Sequence, residues 1–263
     1  MKVVLFCGGM GMRLREASED IPKPLVPVGQ RPILWNLMKY YAHYGHRDFI
    51  LCLGYRAEAI KNYFIDYDER LTNDFVLTEG GTNMELLGKD IDDWRITFVD
   101  TGIDANIGMR LRAVRDHLGD DEMFLANYAD GLTDLPLDMY LDRFKQSGKI
   151  ASIMSVVAPL SFHVVETDDE GSVKRLKPMQ GDHMRINGGF FAFRREFFEY
   201  LGENEELVEE PFQRLISAGE LISQKHDGFW RAMDTFKDKT HFEQLENAGD
   251  TPWKVWERKR GLP

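Results

Sequence analysis

Cysteine is scarce: the chain of 263 residues carries only Cys7 and Cys52. Both lie in apolar, strand-like runs, which reads as buried thiols in a reducing compartment and excludes a disulfide framework or a cysteine-based zinc site. The seven histidines are dispersed from His43 to His241, with no H-E-x-x-H pattern and no close cysteine partner, so zinc chemistry is not expected. Positive charge is also in deficit. Lys and Arg number 33 against 44 Asp and Glu, a net charge of −11. This argues against a broad grip on nucleic acid, while leaving room for a local basic pocket that binds a small anion. Long apolar runs are missing. Val3 to Cys7 spans five residues and stops at Gly8-Gly9. A signal peptide needs a longer run and a membrane span needs roughly 20 apolar residues, so no membrane partner and a cytoplasmic location are expected. Internal repeats, low-complexity tracts, Ser/Gly linkers and a G-x-S-x-G nucleophile elbow are absent as well.

What remains is the composition of a globular protein, 43% hydrophobic and 29% charged, long enough for one large domain or two small ones. Short apolar runs alternate with amphipathic stretches. Val3 to Cys7 and Asp48 to Leu53 read as buried parallel strands, and Pro32 to Tyr44 and Ala57 to Phe64 as helices. The β-α-β-α order predicts a mixed, mostly parallel Rossmann-like sheet flanked by helices. Phe75 to Thr78 and Arg95 to Val99 are expected as two strands around a projecting excursion. Further expected elements are a helix over Arg110 to His117, a strand over Met123 to Asn127, a helix over Pro136 to Ser147 and a strand over Ala151 to Val157. Phe162 to Arg175 alternates around Asp168-Asp169-Glu170-Gly171, the pattern of a hairpin turn. Gly188 to Phe193 reads as a buried strand whose phenylalanines are core, Glu203 to Glu210 as a solvated acidic stretch, and Pro211 to Ala218 and Thr235 to Ala248 as helices. Arg258-Lys259-Arg260 reads as a solvated tail.

The first strand runs into Gly8-Gly9-Met10-Gly11-Met12-Arg13-Leu14. Successive glycines let backbone N–H groups turn inward on phosphate oxygens, and Arg13 adds a fork of donors suited to phosphate. The position also suits a ligand, beyond the carboxyl end of a strand. The segment is neither a P-loop, which needs Gly-Lys-Ser/Thr, nor a dinucleotide fingerprint, because Leu14 stands where the third glycine belongs. Pro22 and Pro24 stiffen the backbone around Lys23, a plausible second phosphate contact or a plain surface lysine. Asp130 closes a buried strand before Gly131 and reads either as a turn former or as a ligand. Asp234 precedes the last helix and reads either as its N-cap or as a ligand. Should these two carboxylates converge, they form a hard-oxygen site for Mg²⁺. Lys177 and Asn187 are further candidates, for a phosphate and for a polyol hydroxyl.

In this order the segments resemble the sugar-phosphate nucleotidylyltransferases, and among them the cytidylyltransferases of glucose 1-phosphate. The likeness runs from Leu5-Phe6-Cys7-Gly8-Gly9 through Pro22-Lys23-Pro24, Arg31-Pro32-Ile33-Leu34-Trp35, Val99-Asp100-Thr101-Gly102 and Tyr128-Ala129-Asp130-Gly131. It continues in Ile186-Asn187-Gly188-Gly189, Gly228-Phe229-Trp230, Met233-Asp234-Thr235 and Pro252-Trp253-Lys254. The resemblance implies a nucleotidyltransferase fold with a nucleotide-binding core over 1–150, a projecting excursion near 72–98, a smaller sugar-phosphate-binding lobe over 151–234, and a C-terminal helix and tail over 235–263. It implies that a nucleoside triphosphate, CTP first, and a sugar 1-phosphate are joined with Mg²⁺ as cofactor, giving an NDP-sugar and pyrophosphate. The implied nucleotide contacts are Phe6, Gly8, Gly9, Gly11, Met12, Arg13, Lys23, Arg110 and Ala129. Sugar-phosphate contacts would be Leu176, Lys177, Asn187 and Gly188. Arg13, Lys23, Asp130 and Asp234 would be catalytic, with Asp130 and Asp234 holding the metal. Homo-oligomers, commonly hexamers, are implied too.

The chain departs from that pattern at informative places. Met12 stands for a threonine, Ala129 for a glycine, and Ile107-Gly108-Met109-Arg110 for Thr-Gly-Gly-Arg. Leu176 stands for a glutamate that bonds sugar hydroxyls, and a leucine cannot do so. Three readings therefore stand open: the cytidylyl enzyme; the same chemistry with another base or with a non-glucose sugar or cyclitol phosphate; and a non-catalytic relative.

Overall fold

The computed structural model describes residues 1–9, 21–157, 163–178 and 184–257. Gly11, Met12 and Arg13 of the glycine loop, His183 and the basic tail lie outside the described residues. Seven strands form the central sheet: β1 (Lys2–Phe6), β2 (Asp48–Leu53), β3 (Arg95–Asp100), β4 (Met123–Tyr128), β5 (Ala151–Val157), β6 (Arg185–Arg194) and β7 (Leu221–His226). Their spatial order is β7-β5-β6-β4-β1-β2-β3. Every pairing is parallel except the two made by β6, which runs antiparallel between β4 and β5. The expected mixed, mostly parallel sheet is thus present. It is continuous past residue 150, since β5, β6 and β7 extend the sheet begun by β1 to β4.

β1 is apolar without alternation because both its faces are covered: Val3, Val4 and Leu5 have no exposed surface. Helix α1 (Ile33–His43) begins after Pro32, whose φ of −60° is set for a helix entry. Its sequence spacing suggests one apolar face, yet Trp35, Asn36 and Tyr40 are buried as well. The reasons are local to each: the Trp256 ring meets Trp35 edge-on at 6.1 Å, the Asn36 amide donates to the carbonyls of Val28, Arg31 and Pro32, and the Tyr40 hydroxyl donates to Leu135 O at 2.7 Å. Five more helices flank the sheet: α2 (Ala57–Ile65), α3 (Ile107–Ala113), α4 (Leu137–Ser147), α5 (Glu210–Ala218) and α6 (Phe236–Ala248). Among the described residues no helix is long and apolar enough to cross a membrane.

Two elements differ from expectation and a third gains detail. Phe75–Thr78 and Arg95–Asp100 both form strands, as expected; within the excursion Phe75–Thr78 closes an antiparallel hairpin on Asn83–Leu86, while Arg95–Asp100 is the edge strand β3. The turn at Gly80 and Gly81, with φ of +67° and +98°, makes this short closure possible. Helix α3 starts before Arg110, where the Asn106 side chain accepts the Met109 N–H at 2.8 Å, and it gives way to a 3₁₀ turn over Arg115–Leu118. β7 has no counterpart in the sequence reading. Among the described residues it pairs only with β5, and its two apolar residues, Leu221 and Ile222, are too few for a periodic signal.

The strand directions position the site. The parallel strands all end at one rim, where Gly8, Gly54, Gly102 and Asp130 follow β1, β2, β3 and β4. β6 enters from that same rim, so Asn187 and Gly188 open there too.

Candidate active site

Lys23 sits in a 3₁₀ turn (Lys23–Leu25) after Pro22, closed by Leu25 N–H to Pro22 O at 2.8 Å and Val26 N–H to Lys23 O at 3.1 Å. Its ammonium donates to Asp130 Oδ2 at 2.5 Å and to Asp234 Oδ1 at 2.7 Å. The two acids meet through a short ladder. Gly131–Thr133 pairs antiparallel with Trp230–Ala232, and Met233 N–H extends the pairing to Asp130 O at 2.8 Å. Asp234 is not the N-cap of α6. Thr235 fills that role in a capping box, its N–H donating to Asp238 Oδ2 at 3.0 Å and its hydroxyl accepting the Asp238 N–H at 3.3 Å.

The electrostatics follow from the census of charges. Burial alone would lower the Lys23 ammonium, but Asp130 and Asp234 outweigh it and hold its pKa above the ordinary lysine value. Burial holds the Asp130 carboxyl above the usual carboxylate range; Lys23 offsets this in part, and the charge of Asp234 adds to it. Two carboxylates against one ammonium leave a negative charge over. Among the described residues no group of three or more His, Cys, Asp or Glu is arranged to hold a metal. Two hard-oxygen donors with surplus negative charge suit Mg²⁺, which draws its other ligands from water and substrate phosphates.

Gly8 is buried at the end of β1 and Gly9 is exposed. A Cβ on Gly8 would lie 2.1 Å from Arg110 Nη1, so the turn needs glycine. The Arg110 guanidinium is buried beneath this turn. It donates to the carbonyls of Gly8 at 3.1 Å, Leu53 at 3.0 Å and Ile103 at 3.2 Å, and to Thr101 Oγ1 at 2.7 Å. It thereby ties together the ends of β1, β2 and β3, and burial pulls its pKa below the usual arginine value. Phe6 packs in one apolar cluster beside Tyr128, with ring centroids 6.2 Å apart, and Ala129 is buried in the other.

Asn187 Oδ1 accepts the Gly189 N–H at 2.9 Å, and Trp230 Nε1 donates to Gly188 O at 2.8 Å. Trp230 therefore spans from the Asp130-Gly131 turn to the start of β6. Sequence reasoning gave it no role; its signal is a tryptophan in the segment that ends at Asp234. Leu176 and Lys177 lie on the hairpin of His163–Thr167 with Val173–Pro178, opposite Val165 and Val164. Leu176 is 62% exposed, and Lys177 pairs with Glu166 at 2.8 Å, not with the acids at Lys23. The structure thus brings together Lys23, Asp130 and Asp234 and sets Asn187 and Gly188 at the same rim. Lys177 stands apart in an ion pair of its own.

Known proteins resemble this chain over nearly its whole length. The family model described as "Nucleotidyl transferase" matches residues 2–238. The chain is 38% identical over 260 residues to the glucose-1-phosphate cytidylyltransferase of Salmonella typhi, covering 98% of this chain and 100% of that one. The enzyme of the same name from Salmonella typhimurium gives the same identity and coverage. Among solved structures, a UDP-glucose pyrophosphorylase complexed with UDP-glucose superposes with a TM-score of 0.68 at 14% identity, over 94% of this chain and 98% of that one, which speaks for the fold. The chain belongs to the nucleotidyl transferase family, and within it to the sugar-1-phosphate nucleotidylyltransferases that resemble glucose-1-phosphate cytidylyltransferase.

Proposed function

We propose that this enzyme joins CTP to a sugar 1-phosphate in a Mg²⁺-dependent reaction, releasing pyrophosphate and an NDP-sugar. The observation that carries the reading is the convergence of Asp130 and Asp234 on Lys23 at the strand rim that also bears Gly8 and Gly9. The names of the relatives support CTP and glucose 1-phosphate as the first pair to try.

In this reaction a sugar-phosphate oxygen attacks the α-phosphorus in line, and pyrophosphate leaves. No enzyme nucleophile is required; catalysis consists of holding two mutually repelling anions in line and neutralising charge as it moves. The amides of Gly8 and Gly9, with Gly11, Met12 and Arg13, are assigned to the triphosphate. Arg110, assigned to the nucleotide, also keeps the Gly8 turn in shape through its bond to Gly8 O. Lys23 supplies charge to the phosphates, and Asp130 and Asp234 hold the divalent ion. When bound, that ion neutralises phosphoryl oxygens and orients them. Asn187 and Gly188 are assigned to the sugar and Lys177 to its phosphate, with the strands after residue 150 forming the sugar-phosphate side over 151–234. Because the reaction needs only small anions, a cytoplasmic location suits it. The exposed apolar residues of the excursion, Phe75, Val76, Leu77 and Met84, support a homo-oligomer.

A second reading, another base or a non-glucose sugar or cyclitol phosphate, is favoured by one observation. Exposed Leu176 offers no hydrogen bond beside Lys177, so the hydroxyl pattern accepted there differs. The test is a grid of four nucleoside triphosphates against a panel of sugar 1-phosphates with Mg²⁺, read by pyrophosphate release. Turnover with CTP and one panel member is expected. CTP with glucose 1-phosphate far ahead of every other pair would remove the second reading, and no pyrophosphate from any pair would overturn both.

A further inference from the structure

The ammonium of Lys23 lies 2.5 Å from Asp130 Oδ2 and 2.7 Å from Asp234 Oδ1. An ammonium has donors only, so two of its N–H bonds are aimed at lone pairs on these two oxygens. A small cation bridging the carboxylates uses those same lone pairs, at metal–oxygen distances of about 2.1 Å. The nitrogen already fills the space between them, so the ammonium and the metal exclude one another there. The lysine backbone is fixed by Pro22, Pro24 and the closed 3₁₀ turn. Any exchange must therefore occur by a swing of the side chain, which is 16% exposed and has an opening to leave by.

We infer that Lys23 is an exchangeable counter-ion. Without ligands it holds the Asp130–Asp234 pair together in place of a metal; an arriving divalent cation displaces it, and the displaced ammonium turns to the phosphates of the nucleotide. The inference rests on the proposed function for the destination of Lys23, and on geometry alone for its starting position. A metal arriving alone has to evict Lys23 with no new anion for the lysine to meet, so it binds weakly. With the triphosphate present, the evicted charge gains a partner, and metal and nucleotide enter together.

Titration of the nucleotide-free protein with Mn²⁺ alone, read by electron paramagnetic resonance, tests this. Lys23→Met is expected to tighten Mn²⁺ binding by at least about tenfold, because a positive charge is removed from the immediate neighbourhood of a dication. Asp130→Asn is expected to abolish binding in either background. Equal or weaker Mn²⁺ binding by Lys23→Met would overturn the inference. A second measurement needs no variant: acetylation of wild-type Lys23 by an amine-reactive ester, mapped by mass spectrometry, should speed up several-fold when Mn²⁺ is added without nucleotide at the concentration that the titration shows to saturate the site. An unchanged rate overturns the inference too. Neither readout involves turnover, so an enzyme that releases pyrophosphate yet fails both loses only the exchange. One that passes both but releases no pyrophosphate loses only the proposed reaction.

Discussion

Two carboxylates gathered on one half-buried ammonium are held by opposite charge: removal of Lys23 leaves two like charges facing each other with no cation between them. Asp130→Ala is expected to cut turnover by about 10²–10³-fold or more, the usual cost of removing one charge-stabilising group at a phosphoryl-transfer centre. Lys177→Ala is expected to do the same only if its ion pair with Glu166 opens to take the sugar phosphate. Steady-state kinetics on the best substrate pair read both, and near-wild-type turnover in either variant would remove that residue from the site. Lys23, Asp130 and Asp234 could each be named from the chain, yet their meeting could not be read there. It depends on a three-residue ladder between Gly131–Thr133 and Trp230–Ala232, too short to leave a periodic trace. Arg110 shows the reverse. The resemblance implies a nucleotide contact for Arg110, and the chain gives no sign of its further task, bonding three carbonyls and a hydroxyl that only the folded strand ends bring together.

Among the elements, those with strong local patterns were legible: β1 and β2 as unbroken apolar runs, α4 from its spacing, and the 163–178 hairpin from its turn residues. β7 was not, because an edge strand with one neighbour needs little apolar sequence, and Asn83–Leu86, the partner of Phe75–Thr78, was not named because its four residues hold only two apolar side chains. Helix α6 owes its start to Thr235, so Thr235→Ala is expected to destabilise the protein by about 1 kcal/mol. Chemical denaturation would show this as a lower midpoint with an unchanged slope. The loop from α1 to β2 holds His46, whose imidazole burial pushes down to about 4, aided by the charge of Lys145. A group with a depressed folded pKa favours the fold in its neutral form. Its contribution is complete above the unfolded value of about 6.5 and is lost as pH falls toward the folded one. The melting temperature should therefore fall between pH 6.5 and 4, and His46→Gln should flatten that fall. A variant with the wild-type slope would show that other groups set it.

Across the whole molecule, one sheet joins the halves that the sequence reading divided near residue 150, so the two sides of the site share a rigid floor. The hairpin of residues 75–86 carries several exposed apolar side chains, with Leu77 57% and Phe75 42% exposed. If it is covered by another copy, Leu77→Asp should lower the mass seen by analytical ultracentrifugation, and an unaltered mass would take the hairpin out of the assembly. The cover formed by the C-terminal segment has a consequence of its own. Phe242 and Trp253 fill one of the sheet's two apolar cores, and Asp234 lies just before the helix that carries Phe242. Loosening the packing of that helix therefore also loosens the stretch of chain that carries the acid.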